Sequence, residues 1–374
     1  MIYLDSAATT LEKPPAVALA VARTIGQAAS PGRGGHSAAA AAGDILFRCR
    51  EQAAAMFDAE LPERVVLTSN ATHGLNIAIR TLVKPNSTVL TSGYEHNAVT
   101  RVLHAIPNTN HKIAVSGLFD AGGIYRKFDE SLTDDVDVVI CNHVSNVFGF
   151  VLPVNRIADL CRRRGKPLIV DASQSAGVLP VSLKRWGAAF IAMPGHKGLY
   201  GPQGTGLLLC GCSAAPLLYG GTGSASVRQE MPEFLPDRLE AGTPNVCGAA
   251  GLLEGMRFVA NRKAETINRH ECRLRHLMAE ELRLVPRIRV FTGDPQTGVL
   301  SFVVDGLDCE LVSRMLSERG IAVRAGLHCA PLAHQTAGTM ATGTVRVSFS
   351  AFNTAAQVEQ TVKTIRKIAS NGRA

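Results

Sequence analysis

Short apolar runs alternate with helix-like segments through the first two thirds of the chain. The runs that have the length and composition of buried strands lie near 64–70, 88–91, 137–141, 167–171, 188–193 and 205–210. Helical patterns fall between or before them, at 15–28, in an alanine-rich stretch that ends near 56, and at 71–80, 97–105 and 153–165. The spacing of about thirty residues between the runs at 137 and 167 is typical of a βαβ unit. It predicts an α/β fold with a mostly parallel central sheet and helices on both faces.

The order of elements changes after a loop at 220–245. We expect a long helix at about 262–284, strands at 287–292 and 297–304, a helix at 308–319, strands near 321–324 and 343–349, and a last helix from an Asn353 cap to 369. This α+β order predicts a second, smaller domain. The expected division is a large domain over 15–255 and a small domain over 256–374, which the N-terminal segment 1–14 joins.

A lysine and an aspartate stand at the ends of two of the predicted strands. Lys197 lies in a turn rich in Gly and Pro, where desolvation can lower its pKa and make the amine nucleophilic. A solvated turn lysine is the ordinary alternative. Asp171 is the last residue of the apolar run at 167–171, which precedes the run that leads to Lys197. No other lysine is expected beside this aspartate. Such a pair suits pyridoxal phosphate (PLP), which forms a Schiff base with the lysine and pairs its pyridinium nitrogen with the aspartate.

Several other polar residues also follow predicted strands directly. In open sheets of this kind, ligands bind outside the carboxyl ends of the strands. The strand-to-helix junction at Ala71, Thr72 and His73 predicts an anion site, with an ordinary helix cap as the alternative. A glycine-rich segment with Arg33 and His36 is either a ligand loop or a plain surface loop. The residues that fall together at strand ends are Thr72, His96, Asn146, Asp171, Gln174 and Lys197.

The predicted small domain carries candidates of its own. Cys329 lies in a loop near Arg324 and His328, and nearby cations favour the reactive thiolate. A small buried hydrophobe is the alternative role for a free cysteine. Arg346 alternates with apolar residues along a strand. Its side chain is expected either to fork a substrate carboxylate or to form a surface salt bridge.

Composition and charge narrow the function only slightly. The formal charge of +8 comes partly from basic residues at 161–166 and 262–289 without interleaved aromatics, so nucleic-acid binding is not expected. No apolar run reaches the roughly 18 residues of a membrane span, and the first residues do not form a signal-peptide pattern. Nine scattered cysteines without paired CxxC spacing predict a cytoplasmic protein with reduced thiols and no metal site.

Taken together, these residues resemble the class V aminotransferase superfamily of fold-type I PLP enzymes. Within it, the chain looks like the cysteine desulfurases and selenocysteine lyases. The segments that carry the resemblance are 3–10, 70–76, 95–97, 145–147, 170–175, 195–204, 240–245 and 324–330. The last of these is the most specific, because the aminotransferases of the class lack the cysteine found here at Cys329.

The resemblance implies a role toward the cofactor for each matching residue. Lys197 would hold PLP as a Schiff base, Asp171 would pair with the ring nitrogen, and His96 would stack on the ring. Ala71, Thr72 and His196 are implied to bind the phosphate, and Asn146 and Gln174 are implied to touch the oxygen side of the ring or the substrate. Relatives often carry a phosphate-binding Ser at the position of Pro194, so one phosphate hydrogen bond is expected to be missing or replaced.

The resemblance also implies a reaction. Arg324 and Arg346 would bind the substrate carboxylate, Lys197 or His96 would move protons, and Cys329 would attack the substrate sulfur. L-cysteine would yield L-alanine and a persulfide for a sulfur-acceptor protein, as in iron–sulfur cluster assembly. L-selenocysteine is the alternative substrate, and an aminotransferase or β-lyase of the same class is the alternative activity. Thr243 would reach the phosphate of a partner subunit, which implies a homodimer with shared active sites.

Overall fold

The computed structural model describes residues 1–31 and 34–371, so Arg33 lies outside the described residues. The elements up to residue 210 are β1 (Ile2–Tyr3), α1 (Pro15–Gln27), α2 (Ser37–Phe57), β2 (Val65–Thr68), α3 (Ala71–Leu82), β3 (Thr88–Ser92), α4 (Asn97–His104), β4 (Asn110–Ala114), α5 (Ala121–Ser131), β5 (Val138–Asn142), α6 (Val154–Arg163), β6 (Leu168–Asp171), α7 (Leu183–Trp186), β7 (Phe190–Pro194) and β8 (Gly206–Cys210). The later ones are α8 (Val246–Arg262), α9 (Ala264–Arg283), β9 (Ile288–Phe291), β10 (Val299–Val304), α10 (Cys309–Ser317), β11 (Ile321–Ala322), β12 (Arg324–Gly326), α11 (Pro331–Ala337), β13 (Thr344–Ser348) and α12 (Ala355–Asn371). Within the described ranges, no helix is both long and apolar enough to cross a bilayer.

A seven-stranded sheet forms the centre of the larger part of the molecule. Its strand order is β2-β8-β7-β6-β5-β3-β4. Neighbouring strands from β7 to β4 are parallel, whereas β8 runs antiparallel to both β7 and β2. The predicted mostly parallel sheet is therefore confirmed. The carboxyl ends of β2, β3, β5, β6 and β7 lie along one edge, where such sheets bind ligands.

Alternation along the buried strands divides the apolar residues between the two faces of this sheet. Leu168 and Val170 pack into a core with residues of α2, α5 and α6. Ile169, between them, packs into a second core with residues of α3 and α4. Successive side chains of a strand point to opposite faces, and parallel strands buried on both faces therefore need continuous apolar runs. This is why the runs were visible in the sequence.

The second part of the molecule is a four-stranded antiparallel sheet packed with helices. Its strand order is β12-β13-β10-β9, and its core combines the sheet with α9, α10 and α12. The start of the chain joins this part, because β1 pairs in parallel with β11 and Leu4 is buried in the same core. The predicted α+β arrangement is confirmed. The boundary expected between 255 and 256 falls inside α8, and the division into two domains stays a prediction.

Helix α8 brings glycines against the segment that follows Lys197. A Cβ atom on Gly255 would lie 2.3 Å from the Leu199 carbonyl oxygen, and one on Gly251 would lie 2.6 Å from the Pro202 ring. Glycine weakens a helix by roughly 1 kcal/mol relative to alanine, so its repeated use here reflects packing rather than propensity. The close approach of α8 therefore holds the segment 199–202, which follows Lys197, in place.

Six elements of the described residues were not predicted from the sequence, namely β1, β4, α5, α7, α8 and α11. β4 lies at a sheet edge with a single buried residue, Ala114, and so has no apolar run. α8 is rich in glycine, which conceals its helical pattern. The expected Asn353 cap is wrong. The Asn353 side chain instead accepts a hydrogen bond from the Ser350 amide and donates one to the Tyr3 carbonyl, while the Thr354 hydroxyl accepts the Gln357 amide.

Candidate active site

The turn that carries Lys197 is tightly packed. The Gly195 amide donates a hydrogen bond to the Thr205 carbonyl at 2.8 Å. A Cβ atom on Gly195 would lie 2.1 Å from the Thr205 hydroxyl, and one on Gly198 would lie 2.4 Å from the Ala176 carbonyl oxygen. Glycine is therefore required at both positions, and the lysine is held just beyond the carboxyl end of β7.

Lys197 and Asp171 lie close enough to affect one another electrostatically. Burial lowers the pKa of Lys197 to about 8, although the negative charge of Asp171 acts in the opposite direction. Asp171 is 4% exposed, and its carboxylate accepts the Ser173 amide at 2.9 Å. Among the described residues, no hydrogen-bond partner of the Lys197 amine is found. Part of the amine is therefore neutral near pH 7 and available as a nucleophile or base.

His96 presents a neutral imidazole to the same site. Its Nδ1 caps α4 by accepting the Ala98 amide at 3.0 Å, so the proton of the neutral ring belongs on Nε2. Burial lowers the pKa of His96, while Asp171 raises it and Lys197 lowers it further. The ring therefore remains uncharged at neutral pH and can stack on a flat ligand.

A cavity of about 100 Å³ joins these side chains at the carboxyl edge of the sheet. It is lined by eight of the nine residues predicted to bind cofactor, which are Ala71, Thr72, His96, Asn146, Asp171, Gln174, His196 and Lys197. Thr243 is not among them. The eight come from loops after β2, β3, β5, β6 and β7. Their convergence follows from parallel strands ending at one edge.

One end of this cavity is suited to an anion. The Asn70 side chain caps α3 by accepting the His73 amide at 2.8 Å, and the amides of Ala71 and Thr72 precede that bond in the first turn. A helix N-terminus with free amides attracts phosphate. His196 adds a buried Nδ1 without a hydrogen-bond partner among the described residues. Burial lowers the pKa of His196 to about 4, so its imidazole is neutral at pH 7.

The donor set fits PLP. The orphaned Nδ1 of His196 and the first turn of α3 suit the phosphate, Asp171 suits the pyridinium nitrogen, and Lys197 suits the aldehyde. The buried Oδ1 of Asn146 also has no partner in the described part of the chain and can serve a bound ligand. Pro194 lines the cavity without offering a side-chain donor, so hydrogen bonds to a phosphate are left to groups such as the first turn of α3, with Thr72, and His196.

Arg346 is buried and paired rather than on the surface. It is 2% exposed, and its Nη2 forms an ion pair with Asp5 at 2.7 Å. Its Nη1 donates to the Asn146 carbonyl at 2.9 Å. The surface salt bridge considered from the sequence is therefore wrong. Asp5 was missed as a site residue, although it lies in the Tyr3-Leu4-Asp5 segment that carried part of the resemblance.

Cys329 lies on a short loop that is hydrogen-bonded to the other half of the site. Its carbonyl accepts the Asn97 amide at 2.7 Å, and the His328 carbonyl accepts the Asn146 side-chain amide at 2.7 Å. Both His328 and Cys329 have positive φ angles, 49° and 57°, which bend the chain sharply. Of the nine cysteines, Cys329 has an exposed side chain and the others are buried or half-buried. Its thiol is therefore accessible, on a loop whose backbone is bonded to the residue that follows His96.

One expectation about a nearby cation is wrong. His328 does not supply a positive charge, because burial lowers its pKa well below the ordinary value, and Arg346 lowers it further. The positive group that remains near Cys329 in sequence is the exposed Arg324. A second lysine lies next to His196 without lining the cavity: the Lys13 amine donates to the His196 carbonyl at 3.1 Å, and burial lowers the pKa of Lys13 to about 8.

Three further candidates lie away from the Lys197 cavity. His73 and Thr243 line a separate cavity on the other side of the α3 N-terminus. Thr243 is exposed, so within its own chain it does not approach Lys197. His36 caps α2 by accepting the Ala39 amide, which is a structural role. Gln174 does line the Lys197 cavity, where its side-chain amide donates to the Ala7 carbonyl at 2.9 Å.

Residues 2–361 match the family model for class V aminotransferases. The chain belongs to this family. Members are PLP-dependent enzymes. A probable cysteine desulfurase from Methanothermobacter thermautotrophicus is 30% identical over 99% of this chain and 95% of its own length. One from Mycolicibacterium paratuberculosis is 32% identical over the whole chain, which spans 56% of that longer protein.

Solved structures agree with this assignment. The apo cysteine desulfurase from Thermococcus onnurineus NA1 matches with a TM-score of 0.87 and 28% identity, over 99% of this chain and 94% of that one. A cysteine desulfurase from Escherichia coli matches with a TM-score of 0.85 and 26% identity, over 98% and 94% of the two chains. The predicted resemblance and the fold-type I class are confirmed.

Proposed function

We propose that this protein is a PLP-dependent cysteine desulfurase that converts L-cysteine to L-alanine and retains the sulfur as a persulfide on Cys329. The observation that carries the proposal is an exposed thiol on a loop bonded to the Asn97 amide, one residue from His96. Attack on a substrate sulfur requires such a thiol, whereas amino-group transfer does not. The cysteine desulfurases among the relatives support the same activity.

Residues around the Lys197 cavity would hold the cofactor. Lys197 would bind its aldehyde carbon, the Asp171 carboxylate would pair with its ring nitrogen, and the His96 ring would stack on it. The groups for its phosphate and ring oxygen would be Ala71, Thr72, His196, Asn146 and Gln174. When bound, PLP supplies an electron sink for the electron pair left at the substrate Cα.

Proton transfer at the substrate falls to Lys197. Its pKa of about 8 leaves the amine partly neutral at pH 7, and a base works best when its pKa is near the working pH. The neutral His96 ring, with its proton on Nε2, can donate that proton and later take one back at the same nitrogen. Arg324 and Arg346 would hold the substrate carboxylate and so orient the substrate in the site.

The sulfur step is balanced without any external oxidant. The Cys329 thiolate attacks the substrate sulfur, a sulfur–sulfur bond forms, and the substrate Cβ–S bond breaks. The electron pair from that bond remains on Cβ and takes a proton, which yields L-alanine. The enzyme thiol becomes a persulfide, and a sulfur-acceptor protein would receive its terminal sulfur, as iron–sulfur cluster assembly requires.

The site would be completed across a homodimer. Thr243 is exposed and does not line the Lys197 cavity of its own chain, which is what contact with a partner's phosphate requires. Selenocysteine lyase is the alternative activity, because selenolate leaves more readily than thiolate. An aminotransferase or β-lyase would use the same lysine and aspartate but would not need Cys329.

The decisive experiment compares Cys329→Ala with wild type on L-cysteine and L-selenocysteine. We expect the variant to bind PLP and cysteine but to form no protein persulfide and little alanine from L-cysteine. Selenocysteine turnover should be partly retained. Cys247→Ala is the matched control, because Cys247 is a half-buried cysteine on α8 and should leave activity unchanged. Wild-type cysteine turnover by Cys329→Ala would show that the protein is a different PLP enzyme.

A further inference from the structure

The buried guanidinium of Arg346 has a carboxylate against it. Its Nη2 is 2.7 Å from Asp5 Oδ1, Nη1 is taken by the Asn146 carbonyl, and Nε has no partner among the described residues. The side-chain exposures of the pair are 2% for Arg346 and 19% for Asp5. Asp5 is therefore the counter-ion of a nearly fully desolvated cation at the place where the substrate carboxylate is expected.

Backbone hydrogen bonds join the ion pair in placing Asp5 at this position. Asp5 forms a parallel bridge with Ser348, two residues beyond Arg346 on β13. The Ser348 amide donates to the Leu4 carbonyl at 2.9 Å, and the Ala7 amide donates to the Ser348 hydroxyl at 2.8 Å. The N-terminal segment is thus an added strand along β13. These bonds place the Asp5 carboxylate beside Arg346.

A second arginine adds another positive charge to this region. Arg324 on β12 is directly opposite Arg346 in the antiparallel register, so the two side chains share one face of the sheet. Arg324 is exposed and, in the described part of the chain, has no ion pair. Both arginines lower the pKa of Lys197 and Asp5 raises it, so all three charges act within the site.

We propose that Asp5 is a built-in counter-ion of Arg346 that weakens the binding of the amino acid α-carboxylate to this arginine and so promotes release of the product. The inference rests on the proposed function, in which substrate and product carry the same α-carboxylate. Binding both equally tightly does not speed the chemistry, and tight product binding slows turnover. Asp5 acts through Arg346 and is a positioning residue rather than a catalytic one.

The variant that isolates this effect is Asp5→Asn. Asparagine keeps an oxygen that can accept the Nη2 hydrogen bond, so the orientation of Arg346 is retained while the negative charge is removed. Two carboxylates about 5 Å apart in a partly hydrated site repel each other enough to change affinity about tenfold. Asp5→Asn should therefore bind L-alanine about tenfold more tightly than wild type.

The test is calorimetric titration of the PLP-loaded proteins with L-alanine and with ethylamine, which is alanine without its carboxylate. Tighter binding should appear for L-alanine and not for ethylamine, which a general structural change would not produce. Asp44→Asn is the matched control, because Asp44 makes an exposed salt bridge with Arg48 on α2 and its loss gives the same change in net charge.

An affinity for L-alanine that is unchanged or weaker in Asp5→Asn would overturn the inference. The sulfur chemistry of Cys329 would remain untouched by that result, so the two proposals fail separately. If Asp5→Asn does not fold, hydrogen exchange of wild type replaces it. Because ligand and Asp5 compete for Arg346, L-alanine should loosen the amides of residues 2–10 and ethylamine should not. Equal exchange with both ligands would again contradict the role of Asp5.

Discussion

Glu271 on α9 is a buried carboxyl whose ionisation should set the pH dependence of stability. It is 6% exposed and has no hydrogen bond or ion pair within the described residues. Glu271 lines a small cavity that is also lined by Lys197 and Tyr200. Its packing is tight, because a Cβ atom added to Gly298 would lie 2.5 Å from the Cβ atom of Glu271. Burial raises the pKa of Glu271 from 4.5 to about 8. The folded protein therefore keeps a proton that the unfolded chain releases.

The sign and size of the effect follow from linkage. Because the folded pKa lies above the unfolded pKa, the stabilising contribution is fully present below about pH 4.5 and is lost as the pH rises through about 8. Each pKa unit corresponds to about 1.4 kcal/mol, so the total is about 5 kcal/mol. Glu271→Gln has nearly the same shape and does not titrate. The variant should lack this loss, and its stability relative to wild type should increase by about 5 kcal/mol between pH 4.5 and 8.5.

The assay is urea unfolding of wild type and Glu271→Gln at several pH values across this window. Glu265→Gln on the same helix is the control, because Glu265 is exposed and its charge stays hydrated in both states. That control should follow the pH dependence of wild type. If Glu271→Gln and wild type lose stability in parallel from pH 4.5 to 8.5, the carboxyl is not desolvated and the reasoning is refuted.

Two further predictions concern the lysine and the dimer. Borohydride should fix PLP covalently to wild type and to Lys13→Ala but not to Lys197→Ala, as measured by intact mass, because Lys197 and not Lys13 lines the cavity with Asp171. If Lys13→Ala loses the covalent label and Lys197→Ala keeps it, then Lys13 and not Lys197 is the residue that binds PLP. Mixing Thr243→Ala with Lys197→Ala should restore activity if Thr243 completes the partner's site. With subunit exchange verified by mass spectrometry, activity no higher than that of the parents would argue against shared sites.

The hydrophobic pattern alone determined most of the large sheet. Strands buried on both faces must be continuously apolar, so β5, β6 and β7 were recognisable without any knowledge of their neighbours. The polar residue that ends such a run was recognisable too, because it interrupts the pattern. Parallel strands end at one edge, and this geometric rule predicted that Asp171 and Lys197 would meet.

Elements without a pattern of their own were decided by tertiary contacts. β4 is an edge strand with few buried residues, and α8 is a glycine-rich helix that exists because its glycines fit against the Leu199 carbonyl and the Pro202 ring. Propensity disfavours such a helix, while close packing compensates for it. A sequence pattern reports burial of a residue only when its neighbours along the chain are buried in the same way.

The charges of the site were likewise determined only by the fold. Asp5 and Arg346 lie 341 residues apart in sequence and pair because the N-terminal segment adds to β13. His328 was expected to be a cation and is neutral, because its ring is buried beside Arg346. The sequence determines which groups can ionise. Desolvation and nearby charges determine whether they do, and both depend on chain segments that only the tertiary structure brings together.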